Sequence, residues 1–341
     1  MDNRVEFVEI EQPCDMHVHL REGELLRSVV RDSARSFDTI LVMPNTRRPI
    51  LTGKDAEDYR LEITQWTPGL NVVSAIYLTP ETTPDLIEAA AKTGVKAVKF
   101  YPRGATTNSG HGVRLETLGD PWSALEPVFD TMAQLDLILC LHAEDPDVPL
   151  LERETRALKT VTALATRHPR LRIVIEHATT RAAIEVVHGW SNIWTTITAH
   201  HLVLTTNDVV GNHHHLCMPV AKSEDDRRAL LDASMSGHPR ILFGSDSAPH
   251  LNATKNRAQG APFGIYSAPV ALPLLVGVFA AYGRTDHLQQ FVSDAARELY
   301  DIERRPRGTT ARRVVYKPWT VPNDQDPHWF WADRRLDYAL A

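Results

Sequence analysis

Short apolar runs alternate with longer amphipathic or alanine-rich segments along most of the chain. The apolar runs are rich in Val, Ile and Leu, which is typical of strands buried on both faces. We therefore predict eight strands, at residues 14–18, 39–43, 71–78, 95–100, 137–141, 172–176, 192–198 and 240–244. The segments between them predict helices at residues 24–36, 53–66, 84–93, 122–134, 148–167, 180–188 and 223–236.

Eight strands alternating with helices predict a (β/α)8 TIM-type barrel. Local signals agree, because Thr83 precedes Pro84 at one predicted helix start and Gly94 follows that helix, where a left-handed residue is favoured. The alternative is an open doubly wound sheet, but no Gly-x-Gly-x-x-Gly motif follows the first strand. We expect a single domain over residues 1–341, with a further helix at 268–282 and an irregular C-terminal extension with short strands at 302–341, packed on the barrel.

Charge and cysteine content narrow the possible partners and location. Lys and Arg number 37 against 43 Asp and Glu, a formal net charge of −6, so we expect no nucleic-acid partner. The polar first residues and the lack of a long apolar run predict neither a signal peptide nor a membrane span. The three cysteines are far apart in the sequence, which argues against a disulfide framework and favours the reducing cytoplasm.

Polar and ionisable residues collect where the predicted strands end. His17 and His19 lie two apart on the first strand, so their rings point to the same side, but such a pair is weak evidence in a chain with 16 His. The carboxyl ends of barrel strands form one rim, where distant residues converge. The residues expected there are His17, His19, Asn45, Lys99, His142, His177, Asp246 and His250.

Each of these residues alone has an ordinary structural explanation, such as a hydrogen-bonded core histidine, a surface lysine or a helix N-cap aspartate. At corresponding strand ends they favour metal-assisted hydrolysis instead. Four His and one Asp can hold two metal ions of borderline softness, such as zinc.

The motifs carrying these residues resemble those of dihydroorotases, and more narrowly the compact monofunctional type within the amidohydrolase superfamily. The matching segments run in order from residue 15 to about residue 270, and together they are far more specific than His-x-His alone. The segments are His17-Val18-His19-Leu20-Arg21, Met43-Pro44-Asn45-Thr46, Lys99-Phe100-Tyr101-Pro102, residues 105–112, His142-Ala143-Glu144, residues 176–180 and residues 244–250.

The resemblance implies a barrel fold and the reversible, zinc-dependent cyclisation of N-carbamoyl-L-aspartate to L-dihydroorotate in pyrimidine biosynthesis. It also implies two zinc ions, one held by His17, His19 and Asp246 and the other by His142 and His177. Lys99, carboxylated to N6-carboxylysine, and a hydroxide would bridge them. Asp246 would act as general base and then acid.

Other positions acquire roles from the same resemblance. Arg21, Asn45 and His250 would bind the substrate carboxylate, for which the planar guanidinium is well suited, and His142 would also contact substrate. Thr106 and Thr107 would reach the substrate from a lid loop after the fourth strand. Met218 would contact the ring through its backbone, and Ala261 would supply a small residue after His250, although the spacing there departs from the family pattern. A homodimer is expected.

Two alternatives stay open. A related cyclic-amide hydrolase acting on hydantoin, dihydropyrimidine or allantoin rings would share the metal ligands without needing Arg21 and Asn45 against a carboxylate. A non-catalytic homologue serving as a structural partner, for example of aspartate transcarbamoylase, would be expected to lose ligands, whereas every ligand position is filled. We interpret residues 213–215, three consecutive His, as loop residues and His200 and His201 as structural.

Overall fold

The computed structural model describes residues 5–257, 259–306 and 308–341. Its strands, numbered along the chain, are β1 Phe7–Ile10, β2 Cys14–Val18, β3 Thr39–Val42, β4 Asn71–Tyr77, β5 Ala97–Phe100, β6 Ile138–Leu141, β7 Arg172–Ile175, β8 Ile193–Ile197, β9 Ile241–Phe243, β10 Arg312–Thr320 and β11 Arg335–Leu340. Its α-helices are α1 Gly23–Ser36, α2 Gly53–Thr64, α3 Pro84–Lys92, α4 Leu115–Gly119, α5 Glu126–Gln134, α6 Arg153–Arg167, α7 Arg181–Gly189, α8 Thr206–Val209, α9 Glu224–Ser234, α10 Asn252–Lys255, α11 Ala271–Ala281 and α12 Ala295–Tyr300.

Strands β2 to β9 form the predicted barrel. They pair in parallel and in chain order. The circle is completed where Val18, at the end of β2, pairs with Ser247 just after β9, and His19 N donates to Ser247 O at 3.0 Å. The prediction of a (β/α)8 barrel is therefore confirmed, and all eight predicted barrel strands are present with small differences in their bounds.

The helix starts follow local sequence signals. Thr83 caps α3 by accepting a hydrogen bond from Leu86 N, with Pro84 in the first turn. Gly94, just after that helix, adopts a φ of 86°, as its position predicted. Reciprocal capping boxes begin α2 at Thr52 and α9 at Ser223. These caps satisfy backbone N–H groups that have no partner within the helix.

The barrel interior is filled by side chains that point inward from the strands. Met16, Leu41, Cys140 and Leu242 belong to this buried cluster, together with Tyr300 of α12. Arg172, at the start of β7, donates to Leu299 O of α12 at 2.7 Å, so this helix covers the amino-terminal ends of the strands. The carboxyl-terminal ends remain the accessible face, where barrel enzymes carry their active sites.

The two ends of the chain meet in a second sheet. Strand β1 pairs antiparallel with β10, which pairs antiparallel with β11. The C-terminal extension expected at 302–341 therefore contains two strands, and β1, which the sequence pattern did not predict, is their partner. The predicted helix at 268–282 is α11. Among the described residues, no helix has both the length and the apolarity needed to cross a membrane.

Candidate metal and substrate site

The predicted site residues converge on the carboxyl-terminal rim of the barrel. Most of them line one cavity, whereas Lys99, His250 and Ala261 do not. Its lining is His17, His19, Arg21, Asn45, Tyr101, Thr106, Thr107, His142, His177, Met218, Asp246, Ala248, Phe263 and Gly264. Arg21, His177 and Asp246 all have positive φ angles, of 63°, 41° and 44°. The three residues lie two or three positions beyond the ends of β2, β7 and β9, and such backbone strain concentrates at functional sites.

His17, His19 and Asp246 form one cluster of potential ligand atoms. Asp246 Oδ1 lies 3.5 Å from His17 Nε2 and 3.2 Å from His19 Nε2. The ligand atoms of the three residues all lie within 4.8 Å of one another, which is close enough for one metal ion to bind all three. Backbone pairing fixes the geometry, because Asp246 N donates to His17 O at 2.8 Å across the closure of the barrel.

His142 and His177 extend this cluster to the neighbouring strand ends. The ring of His177 lies with its centroid 4.9 Å from that of His142 and 4.9 Å from that of His17. His177 is held in place by its backbone N–H, which donates to Thr196 Oγ1 at 2.7 Å. Four imidazoles thus lie side by side at the rim of the barrel.

Two buried glutamates orient these histidines, and the sequence analysis assigned them no role. Glu176 Oε2 accepts a hydrogen bond from His17 Nδ1 at 2.8 Å, and Glu144 Oε2 accepts one from His142 Nε2 at 2.8 Å. Each hydrogen bond fixes the tautomer of its histidine. His17 Nε2 and His142 Nδ1 therefore keep lone pairs that can bind a metal ion. Glu176 directly precedes His177 in the sequence and Glu144 lies two residues after His142, and this proximity is the signal that the sequence offers.

Lys99 lies on β5 in the middle of this group and is completely buried. Its Nζ has no hydrogen-bond partner among the described residues, and burial lowers the pKa of the amine. A buried ammonium without a partner is costly, whereas a neutral amine is a nucleophile that can react with CO₂ to give an anionic carbamate. The environment of Lys99 therefore fits carboxylation.

Buried nitrogen atoms without hydrogen-bond partners also indicate that these residues fit a metal centre. Besides Lys99 Nζ, the buried His17 Nε2 and His177 Nδ1 have no hydrogen-bond partner among the described residues. Leaving such atoms unsatisfied costs about 1–3 kcal/mol each. Burial lowers the pKa of His17 to about 4 and that of His177 well below its usual value, so both rings are neutral and able to bind a cation.

Arg21 and His250 form the polar group beside the proposed metal ligands. Arg21 Nε donates to Pro249 O at 3.0 Å, and Arg21 Nη2 lies 2.8 Å from His250 Nε2. The same imidazole nitrogen lies 2.9 Å from Phe263 O, so it can accept from the guanidinium or donate to the carbonyl, but not both. Burial and the nearby Arg21 lower the pKa of His250 to about 3.

The loop after β5 lies over the rim. Asn45 Nδ2 donates to Thr107 O at 3.0 Å, and Asn108 Nδ2 returns a bond to Asn45 O at 3.1 Å. Thr106 and Thr107 of this loop line the cavity. Asn45 Oδ1 has no partner among the residues that the structure describes.

The segment after His250 differs from the expectation for Ala261. Met218 lines the cavity, but Ala261 does not, and Phe263 and Gly264 lie there instead. Lys255 explains the path of this segment, because its buried Nζ donates to the carbonyls of Leu216, Pro262 and Gly264 at 3.1, 3.0 and 2.7 Å. Ala261 was assigned from the family pattern, and the spacing after His250 departs from that pattern.

Known proteins match this chain over nearly its whole length. The amidohydrolase family model matches residues 14–302. A dihydroorotase of Helicobacter hepaticus is 38% identical over 315 residues, covering 91% of this chain and 90% of that protein. The crystal structure of a Saccharomyces cerevisiae dihydroorotase in complex with 5-fluoroorotic acid has 32% identity and a TM-score of 0.93, with 99% of each chain covered. A Campylobacter jejuni dihydroorotase structure has 31% identity and a TM-score of 0.89, covering 99% of this chain and 98% of that one.

Proposed function

The chain belongs to the dihydroorotases, a branch of the amidohydrolase family of cyclic-amide hydrolases, and from this premise we propose that it interconverts N-carbamoyl-L-aspartate and L-dihydroorotate in pyrimidine biosynthesis. The proposal rests mainly on one observation, which is that a candidate metal site and a candidate carboxylate-binding site lie side by side. Buried nitrogens that are suited to metal ions, and that have no hydrogen-bond partner within the described part of the chain, lie beside a cationic group suited to a carboxylate.

Substrate binding is assigned to Arg21, Asn45 and His250. The guanidinium of Arg21 and the carbonyl of Phe263 compete for the same nitrogen, His250 Nε2. A substrate carboxylate would therefore be a better hydrogen-bond acceptor for Arg21. His250 Nε2 would then be free to donate. Asn45 would turn its amide from the lid loop to the ligand, coupling substrate binding to the position of Thr107. The remaining ring contacts are proposed for Met218 and His142, and for Ala261 only after a local rearrangement.

The cofactor proposed is a pair of zinc ions. His17, His19 and Asp246 would hold one ion, His142 and His177 the other, and carboxylated Lys99 would lie between them. Bound zinc would supply Lewis-acid polarisation of the amide carbonyl and a hydroxide at neutral pH. Glu176 and Glu144 would keep the ligand histidines in the correct tautomer.

Asp246 is proposed to carry the proton. In the hydrolytic direction, a C–O bond forms at the ring carbonyl and the C–N bond breaks, so the nucleophile loses a proton and the leaving nitrogen gains one. Asp246 faces the cavity and its carboxylate contacts two imidazoles, while burial raises its pKa above the usual value. A carboxylate with a raised pKa is better able to accept and return this proton. Cyclisation follows the same steps in reverse.

Thr106 and Thr107 are proposed to close over bound substrate and exclude water. Their support is the direct bond between the lid loop and Asn45 at the rim. A homodimer and a cytoplasmic location stay predictions from the sequence.

The deciding experiment combines metal analysis with activity on the purified protein. We expect two zinc equivalents at the proposed centre and turnover of both L-dihydroorotate and N-carbamoyl-L-aspartate, with Lys99→Ala losing tight metal binding and activity. Intact-protein mass spectrometry under mild conditions would show one added CO₂, which Lys99→Ala would lack.

Three outcomes would contradict the proposal. Turnover of hydantoin without turnover of dihydroorotate would assign the chain to the related hydrolases. Absence of both metal and activity after supplementation with zinc and bicarbonate would favour a structural role. Full activity of Lys99→Ala would refute the bridging role of this residue.

A further inference from the structure

A second cluster of metal-binding side chains lies outside the catalytic cavity. His200 and His201 follow β8, and Cys217 lies in the segment between α8 and α9, next to Met218. All three side chains are buried, and one ligand atom from each lies within 4.8 Å of the others. None of the three lines the cavity described above.

The two sulfur–nitrogen distances within this cluster match tetrahedral coordination. Cys217 Sγ lies 3.7 Å from His200 Nε2 and 3.6 Å from His201 Nε2. A zinc ion about 2.3 Å from sulfur and about 2.0–2.1 Å from nitrogen, with tetrahedral angles, would separate these atoms by about 3.6 Å. The carbonyl oxygen of Pro219 provides a fourth donor, 3.1 Å from His201 Nε2 and 3.3 Å from Cys217 Sγ.

The hydrogen bonds around His201 are compatible with two protonation states. Without a metal ion, Thr198 Oγ1 can donate to His201 Nδ1, and Nε2–H can donate to Pro219 O. With a metal ion, Nδ1–H would donate to Thr198 Oγ1 at the same 2.9 Å, leaving the Nε2 lone pair directed at the ion. Ligand histidines normally donate their other N–H in this way, so the required partner is already in place.

His200 supplies an independent indication. Its ring is completely buried, and Nδ1 has no hydrogen-bond partner among the described residues. Its Nε2 lies 3.7 Å from Cys217 Sγ, which is a long and weak contact. A buried imidazole with such weak polar contacts is costly, and coordination at one nitrogen would offset part of that cost.

We propose that His200, His201 and Cys217, completed by the carbonyl of Pro219, form a structural site for a divalent ion of the zinc type. Mixed thiolate and imidazole donors favour zinc or cobalt over magnesium or calcium. Because Cys217 precedes Met218, the ion would tie the segment at the cavity to the end of β8. Binding would displace the thiol proton, so the affinity falls with decreasing pH.

Cobalt substitution tests the site, because thiolate coordination gives a near-ultraviolet charge-transfer absorption that nitrogen and oxygen ligands do not. The ligands proposed in the catalytic cavity contain no sulfur. We expect this absorption in the cobalt-loaded full-length protein and its loss in Cys217→Ser, which should also bind one metal equivalent fewer. The matched control is Cys140→Ser, since Cys140 is equally buried but contacts Tyr300 Oη at 3.4 Å.

A second measurement needs no variant. X-ray absorption at the zinc edge of the purified holoprotein should reveal a sulfur neighbour at about 2.3 Å. Absence of sulfur around zinc, or equal metal content in the wild type and Cys217→Ser, would overturn the proposal. Neither result depends on which substrate the enzyme turns over.

Discussion

Glu176 provides the sharpest test of how the protein prepares His17 for a metal ion. Its Oε2 atom accepts from His17 Nδ1 at 2.8 Å and from Thr196 Oγ1 at 2.6 Å, and its side chain is fully buried. Glu176→Gln keeps the size of the side chain but removes its charge. The amide would also place an N–H₂ group where Oε1 has no hydrogen-bond partner among the described residues.

The expected effect is a weaker metal ligand. Burial opposes ionisation of Glu176, but the hydrogen bonds that it accepts from His17 and Thr196 stabilise the charged form and its pKa is lowered, so the native acceptor is a carboxylate. Glu176 in turn raises the pKa of His17 against the larger effect of burial. A hydrogen bond to a charged group contributes about 1.5–3 kcal/mol. Loss of such a partner typically lowers metal affinity about 10-fold to 100-fold, which is the loss that we expect in the variant.

Competition with a chromophoric chelator would measure the affinity of zinc for each variant, and dihydroorotate turnover at saturating zinc would separate binding from catalysis. Glu126→Gln is the matched control, because Glu126 accepts from His168 Nε2 at 2.9 Å on the outside of the barrel. It should leave zinc affinity unchanged. Wild-type affinity in Glu176→Gln, or an equal loss in Glu126→Gln, would refute the orienting role.

Three further predictions concern the surroundings of the site. Lys255→Met removes three hydrogen bonds to loop carbonyls and should raise KM for dihydroorotate several-fold while lowering Tm, measured by steady-state kinetics and thermal melts; an unchanged KM would refute the positioning role. Gly264→Ala should abolish activity, because its Cβ would lie 2.6 Å from Ala248 O. Gly260→Ala shares the strain of a positive φ but meets open space and should retain activity, so equal activities would contradict this reasoning. Arg297→Met breaks a buried 2.8 Å ion pair with Asp38 and should cost about 3 kcal/mol in denaturant unfolding without changing kcat; unaltered stability would count against it.

The barrel could be predicted because its strands are buried on both faces. Segments such as β6 and β7 are continuous apolar runs, and their signal is local. Strands β1 and β10 lacked this signal. Strand β10 contains Arg, Lys, Pro and Trp and is only partly buried, so its conformation depends on a partner at the other end of the chain.

The sequence predicted the positions of the candidate site residues but not the contacts that support them. Residues at strand ends follow from the barrel itself, but their supporting contacts depend on the tertiary structure. Glu176 precedes His177 in the sequence yet bonds to His17, 159 positions away. The sequence alone predicts only a structural role for His200 and His201. Their approach to Cys217 depends on the path of a loop that the sequence does not specify.

The pairing of β1 with β10 has a consequence for the order in which the protein can be made. Roughly 300 residues separate these strands, so at about 5–20 residues per second the ribosome adds β10 about 15–60 s after β1. His17 lies on the first barrel strand, β2, whereas Asp246 follows the last, β9, so most of the barrel is synthesised between them. Neither the first strand nor the first ligands can find their native partners during early synthesis. The nascent chain must therefore keep an unpaired strand edge from aggregating, and metal capture at this centre belongs to the final stage of folding.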